Sequence, residues 1–356
     1  MLNEREVVDF LLQQRLLTAA TVVDGDVVIR DVSRRNRNFL VISGAGPSFF
    51  VKQGSALDPF GTTAREAQLY GAAAELAPTA LPRYLPDFHG YWPNGPALVL
   101  GAHVKARSLG EHQARGRFSA AVARALGRAL ACLHATAAPG GRALSPHGLH
   151  LHRPTVASLR DMSGGAIEFV KLVQSAPELC SLIDDVAERW EPDGLIHGDM
   201  KAANCLVMRD ARGRGTSVQL VDWENCGIGD CAWDVGSVMG DQLSSWLMSI
   251  PATGVERLAR LPELARSPLT RIRPALRAFW HAYTRGLDAR AADRLLVRAA
   301  RFAGIRLLQS ASEQTQFATS LTPHTLFQAQ VAMNTLRRPG ESAVRLLGLS
   351  LRGLPE

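Results

Sequence analysis

Residues 197–204 read HGDMKAAN and residues 220–224 read LVDWE. Asp199 sits in a short loop after the apolar segment GLIHGD (194–199). Lys201 follows two residues later and Asn204 five later, and Asp222 lies 18 residues past Asn204, at the end of the apolar segment VQLVDWE (218–224). Phosphoryl transfer asks for these parts. A carboxylate must orient an acceptor hydroxyl and take its proton. Oxygen ligands must hold Mg²⁺ against the phosphates, because Mg²⁺ is hard and prefers carboxylate and carbonyl oxygens. A lysine can neutralise charge on the transferring group. HGD alone would be a turn. HGD, an asparagine at +5, VDWE and GDCAWD (229–234), in that order, form a specific constellation.

This pattern resembles the aminoglycoside phosphotransferase/choline kinase-like family, which shares the protein-kinase fold. The resemblance runs from about residue 27 to about residue 237. That family's catalytic loop reads HGDxxxxN and its metal segment reads (I/V)D(W/F)E. The resemblance implies that Asp199 is the catalytic base and that Asn204 and Asp222 are magnesium ligands. Lys201 matches the lysine of the HRDLKxxN pattern of Ser/Thr protein kinases and is placed to touch the γ-phosphate. His197 would support the loop. GDCAWDVGS (229–237) resembles the family's GDPxxDLA, with Asp230 and Asp234 bracing the loop or capping a helix. The arginine of HRD is missing, and Asp222 to Asp230 is too short for a regulated activation loop. An enzyme that does not await phosphorylation of such a loop is expected.

The N-terminal part offers an independent check. A kinase needs a strand lysine for the α/β-phosphates and a helix glutamate to hold it. Lys52 sits in FFVKQ (49–53), on the third expected strand, and Glu66 lies 14 residues on, in a helix expected over 62–76 with Thr62 or Thr63 at its cap. Only four lysines occur in 356 residues (Lys52, Lys105, Lys171, Lys201), and two of them fall on motif positions. Apolar spacing predicts a helix over 4–17, strands within 27–42, and further strands around 87–92 and 97–104. The expectation is therefore an α+β, two-lobed, protein-kinase-like fold. A small antiparallel sheet with one helix forms a nucleotide-binding lobe over 1–101, a hinge spans 102–104, and a large helical lobe fills 105–356. Helices are expected over 118–137, 165–190 and most of 243–335.

Nucleotide contacts follow from the resemblance. The family's first strand turn often reads GGxSNxxF; SRRNRN (33–38) has no glycine. Ser33, Asn36 and Asn38 offer hydroxyl or amide donors there, and Arg34, Arg35 and Arg37 offer charge. ALVLGAHVKARSL (97–109) resembles LLLMExLxGxSL, which places Ala102 to Val104 against adenine, with Gly101 where a bulkier residue is common. The implied cofactors are ATP and Mg²⁺.

Composition sets the outer bounds. Hydrophobic residues make up 46% and charged residues 21%, as in folded proteins. No apolar run approaches the ~20 residues of a membrane helix. MLNEREVVDF lacks a basic segment ahead of an apolar core, so it does not read as a signal peptide. Five cysteines without CxxC spacing make a zinc site or disulfide framework unexpected and a reducing cytoplasm the default. Residues 1–100 hold nine Lys/Arg and ten Asp/Glu; with the whole chain at +7, the remainder carries +8. That excess disfavours a polycationic acceptor such as an aminoglycoside. No nucleic-acid motif accompanies it, so no nucleic-acid partner is expected.

VSRRNRNFLVI with FFVKQG also resembles kinases of ribosomal-peptide pathways, including class V lanthipeptide synthesis. That resemblance implies a precursor-peptide Ser/Thr acceptor, bound through an acidic leader, and a separate partner lyase. A small alcohol (a sugar, choline-like or antibiotic hydroxyl) is the alternative. A third reading is a kinase-fold module that binds nucleotide or peptide without turnover. Trp246, Phe279, Trp280 and Tyr283 are expected in the core.

Overall fold

Residues 2–33, 37–54, 61–75, 81–95, 97–137, 142–209, 215–251 and 263–351 are described in a computed structural model of the chain. Helix α1 (Glu4–Gln13) starts from a capping box in which Asn3 accepts from the Arg5 and Glu6 amides and Glu6 returns a bond to Asn3. It stops short of the residue 17 that its apolar spacing predicts. Gln14 caps it, and the chain turns through Arg15 at a φ of 58°. After α2 (Ala19–Asp24) come β1 (Val28–Asp31), β2 (Arg37–Ile42), β3 (Phe49–Gln53), α3 (Thr62–Glu75), β4 (Phe88–Trp92) and β5 (Ala97–Gly101). The five strands form one antiparallel sheet in the order β1-β2-β3-β5-β4. Helix α3 begins at Thr62 itself, so neither threonine stands ahead of it as a cap.

Side chains alternate across a strand, and this sheet is covered on both faces. Phe39, Val41, Phe49, Val51 and Val99 pack with Val7 and Leu11 of α1 on one face. Leu98 and Leu100 join Ala67, Tyr70 and Ala73 of α3 on the other.

The remainder is mainly helical. It opens with β6 (Arg107–Ser108), α4 (Leu109–Ala114) and α5 (Ala120–His134). Leu126, Leu130 and Leu133 of α5 are almost fully buried; each such leucine stabilises the fold by about 2 kcal/mol. After α6 (Val156–Arg160), the expected helix over 165–190 is two: α7 (Gly164–Gln174) and α8 (Pro177–Glu188). Pro177 is the cause, since its ring removes an amide donor and suits the first helical position. Next come β7 (Gly194–Ile196), β8 (Cys205–Arg209), β9 (Thr216–Leu220) and β10 (Gly227–Gly229). The β8–β9 hairpin is a finding, because CLVMR carries no clear alternation.

Helix α9 (Cys231–Met248) is buried on almost every face and forms the centre of this region. Around it pack α10 (Leu269–Tyr283), α11 (Ala289–Thr315) and α12 (Pro323–Arg337), and α13 (Pro339–Arg345) packs outside them on α11 and α12. A Cβ on Gly236 would lie 2.5 Å from the Ala299 carbonyl oxygen, so α9 and α11 meet backbone to backbone there. Trp246, Phe279 and Trp280 are core residues, as expected; Tyr283 is half-buried. No disulfide joins any of the five cysteines. Among the described residues, no helix is long and apolar enough to cross a membrane.

Candidate active site

Strand register assembles the first half of the site. Asn38 pairs with Lys52 and Leu40 with Phe50 across β2 and β3; Phe50 pairs with Leu100 across β3 and β5. All five residues line a cleft of about 340 Å³. The sheet thus presents Lys52 to the cleft while Val51 and Phe49 turn away into the core. Lys52 Nζ donates to Glu66 Oε2 at 2.8 Å and to Asp222 Oδ1 at 2.7 Å, and it lies 3.4 Å from Glu224 Oε2. Burial alone would pull this amine down, but the carboxylates of Glu66, Asp222 and Glu224 outweigh it and raise its pKa. Asp222 shows the converse: burial opposes ionisation, yet Lys52 holds its carboxyl below the usual range. Glu66 is the most deeply buried of the three acids, and desolvation raises it. It also accepts from the Trp223 amide at 3.1 Å. One glutamate therefore ties the strand lysine to the LVDWE segment. Asp222 itself has a φ of 67°, a left-handed conformation that aspartate tolerates better than most residues.

The second half is the loop after β7. Its amides from His197 and Gly198 donate to the two oxygens of the fully buried Asp234, at 2.7 and 3.0 Å. His197 Nε2 meets the Val221 carbonyl at 3.0 Å, and Trp233 Nε1 donates to the Gly198 carbonyl at 3.0 Å. Gly198 has a φ of 81°, and a Cβ there would lie 2.1 Å from the Asn225 carbonyl oxygen; only glycine fits. Asp230 caps α9 through the Ala232 amide. These bonds aim Asp199. Lys201 Nζ donates to Asp199 Oδ2 at 2.6 Å, and Asn204 Nδ2 donates to the same oxygen at 3.1 Å and to the Asp199 carbonyl at 2.9 Å. Burial works against the charge on Lys201, but Asp199 more than offsets it and raises its pKa. The Val221 amide donates to the Asn204 carbonyl at 3.0 Å, which brings Asn204 beside Asp222.

Asn204 and Asp222 suit a hard divalent cation. The Asn204 amide nitrogen is committed to Asp199, so its side-chain oxygen is left for a ligand. One amide oxygen and one carboxylate, completed by phosphate oxygens and water, is a common Mg²⁺ set. Among the described residues, no group of three His, Cys, Asp or Glu side chains could hold a metal.

Ala102 and Val104 line the same cleft as Lys52, and among the described residues neither the Ala102 carbonyl nor the Val104 amide has a backbone partner. Asn38 lines it too, with a buried side-chain oxygen that lacks a partner. Ser33 is set apart from this cleft: its hydroxyl accepts from the Asn38 amide at 2.9 Å. Arg37 bonds to the Leu2 carbonyl. Arg34, Arg35 and Asn36 lie outside the described residues.

Several residues escape the sequence reading. Glu224 is quoted within LVDWE, yet its approach to Lys52 depends on the turn after Asp222. Asp241 accepts from the Ala202 amide at 2.9 Å and faces Arg306 at 3.9 Å. Arg306 makes a two-point contact with Glu313, at 2.8 and 3.1 Å. Among the many arginines of 263–351, nothing in the sequence marks this one.

A profile of the phosphotransferase enzyme family matches residues 28–292. The chain belongs to that family. The match begins where the resemblance in sequence does and continues well past residue 237, into α11. The phosphotransferase is an enzyme that uses ATP and a hydroxyl-bearing acceptor, which sets aside the reading of a non-catalytic binding module. Two solved structures share its fold. Choline kinase from Cryptosporidium parvum superposes with a TM-score of 0.58 at 10% identity, covering 97% of this chain and 98% of that one. Plasmodium vivax ethanolamine kinase gives a TM-score of 0.56 at 11% identity, covering 93% and 89%. A search of curated protein sequences finds no match.

Proposed function

We propose that this phosphotransferase moves the γ-phosphate of Mg–ATP to an alcohol hydroxyl of a small molecule. The observation that carries this reading is the convergence, across 170 residues, of Lys52 on Asp222, next to the Asp199–Lys201–Asn204 loop. In this reading Lys52, held by Glu66, receives the α/β-phosphates. Asn204 and Asp222 hold Mg²⁺, and Ala102 and Val104 meet adenine through backbone groups. Asn38 lies over the phosphates; Ser33 acts on them only by fixing the Asn38 backbone. Asp199 orients the acceptor hydroxyl and takes its proton, while Lys201 offsets charge on the transferring group. When bound, the metal would offset charge between the phosphates. The boundaries 1–101, 102–104 and 105–356 describe the lobes this division of labour needs.

A small acceptor is favoured because a cleft of about 400 Å³ opens beside Lys201, within the roughly 300–1,000 Å³ range of small-molecule sites. A second reading, a Ser/Thr acceptor in a precursor peptide, is supported by the +8 balance of the chain after residue 100. An acidic leader would complement that charge, and a separate lyase would then act on the phosphorylated product. Replacing Asp199 by Asn tests the shared chemistry. Transfer should fall by about 1,000-fold, while Mg–ATP still raises the melting temperature. Retained turnover would refute the base assignment.

A further inference from the structure

The cleft beside Lys201 lies between α4, the catalytic loop, α9 and α11. The charges of its lining cancel: Lys201 and Arg306 stand against Asp241 and Glu313. Arg306 is paired with Glu313 and faces Asp241, and Lys201 reaches out of the lining to Asp199. Its other polar lining is neutral, with Gln113 on α4, Ser244 and Ser245 on α9, and Ser310 on α11. No aromatic side chain is among the described residues lining it, so it lacks the ring faces that recognise quaternary ammonium groups. Two of its side chains are more than nine-tenths buried and keep a donor without a partner: Nε2 of Gln113, 5% exposed, and Nε of Arg306, 3% exposed. Buried donors are costly to leave unpaired, and a ligand rich in oxygen acceptors would satisfy them.

The geometry points to an uncharged polyhydroxylated acceptor, a sugar or cyclic polyol, held in this cleft with one hydroxyl presented to Asp199. This rests on the phosphotransferase reading above. A polycation finds no net negative charge on this lining, where Lys201 and Arg306 balance Asp241 and Glu313, and only the single carboxylate of Asp199 beside it. A polyol can give and accept hydrogen bonds with the serines and with Gln113, and a site built on such bonds discriminates strongly against analogues that lack a hydroxyl.

The test is a panel measured for ADP release and, by mass spectrometry, for phosphorylated product: hexoses, disaccharides and inositols against a polyamino aminoglycoside, choline and a Ser/Thr peptide. Mg–ATP binding by calorimetry runs in parallel. Stimulation by a neutral polyol, with a KM that stays flat across roughly 0.05–0.5 M salt, supports the inference, since screening acts only on charged acceptors. Stimulation by the aminoglycoside, choline or the peptide alone overturns it and leaves the kinase reading standing. So does Mg–ATP binding with no stimulation by any neutral polyol. Failure to bind Mg–ATP breaks the kinase reading itself. With the polyol identified, Gln113→Leu should raise its KM by about tenfold with little change in kcat. An unchanged KM in that variant would remove Gln113 from the site.

Discussion

Two halves of the site solve the problem of buried charge differently. On the proposed nucleotide side, one amine faces three carboxylates, those of Glu66, Asp222 and Glu224. The excess is negative, and divalent cations would offset it. On the proposed acceptor side, Arg306 faces Glu313 and Asp241, and Lys201 faces Asp199, two cations against three carboxylates. The excess there is a single negative charge, carried by no more than one group beyond its cationic partners. The difference teaches which half depends on its ligand for electrostatic satisfaction and which is pre-set by the fold.

The comparison can be broken most severely at Lys52. In Lys52→Met, catalytic efficiency should fall at least about 100-fold. The buried carboxylate of Glu66 would lose its counter-charge, costing about 3 kcal/mol of stability, measured by urea unfolding. Near-native turnover would show that the lysine is not the phosphate anchor. Gly198→Ala comes next. It forces a side chain into a left-handed residue and against the Asn225 carbonyl, so it should destabilise by roughly 2 kcal/mol or more and impair transfer without altering any charged group. A fully stable, active variant would mean the loop can rearrange.

Ligand removal should separate the halves cleanly. Saturating Mg–ATP, at about 100 times its Kd, should stabilise the protein by about 2.7 kcal/mol. Chelation should abolish both that gain and turnover while leaving the apo melting temperature unchanged. A drop in the apo melting temperature on chelation would reveal a structural metal. The smallest effect concerns pH on the acceptor side. Burial pushes the Glu313 carboxyl up, but Arg306 overcomes this and lowers it below its ordinary value of 4.5. Its contribution is therefore fully present above pH 4.5 and is lost as pH falls through the lowered folded value. Melting curves between neutral and acid pH should show a smaller acid loss in Glu313→Gln than in the unmodified protein. Equal losses would show that the Arg306 contact is not ionic in solution.

Much of the nucleotide half is legible in the sequence because its parts are close together or fixed by a hairpin. Asp199, Lys201 and Asn204 span six residues, and β8 and β9 return the chain so that Asp222 lands beside Asn204. Strand alternation carries Lys52 into the cleft. Element ends were less legible. Pro177 splits one apolar stretch into two helices, and α1 ends at Gln13 although its apolar pattern runs on. Hydrophobic spacing reports which face is buried, and backbone turns are decided by neighbouring structure.

What the sequence by itself determined is the chemistry: the identity and spacing of the carboxylates, the amide and the rare lysines that phosphoryl transfer requires. Only the tertiary structure decided the electrical character of the cleft beside Lys201. Asp241, Arg306 and Glu313 lie on two long helices that meet because α9 and α11 pack closely. Helical periodicity can say that a residue faces inward. Whether an inward arginine is exposed, stranded or neutralised depends on which side chain the packed neighbour brings against it.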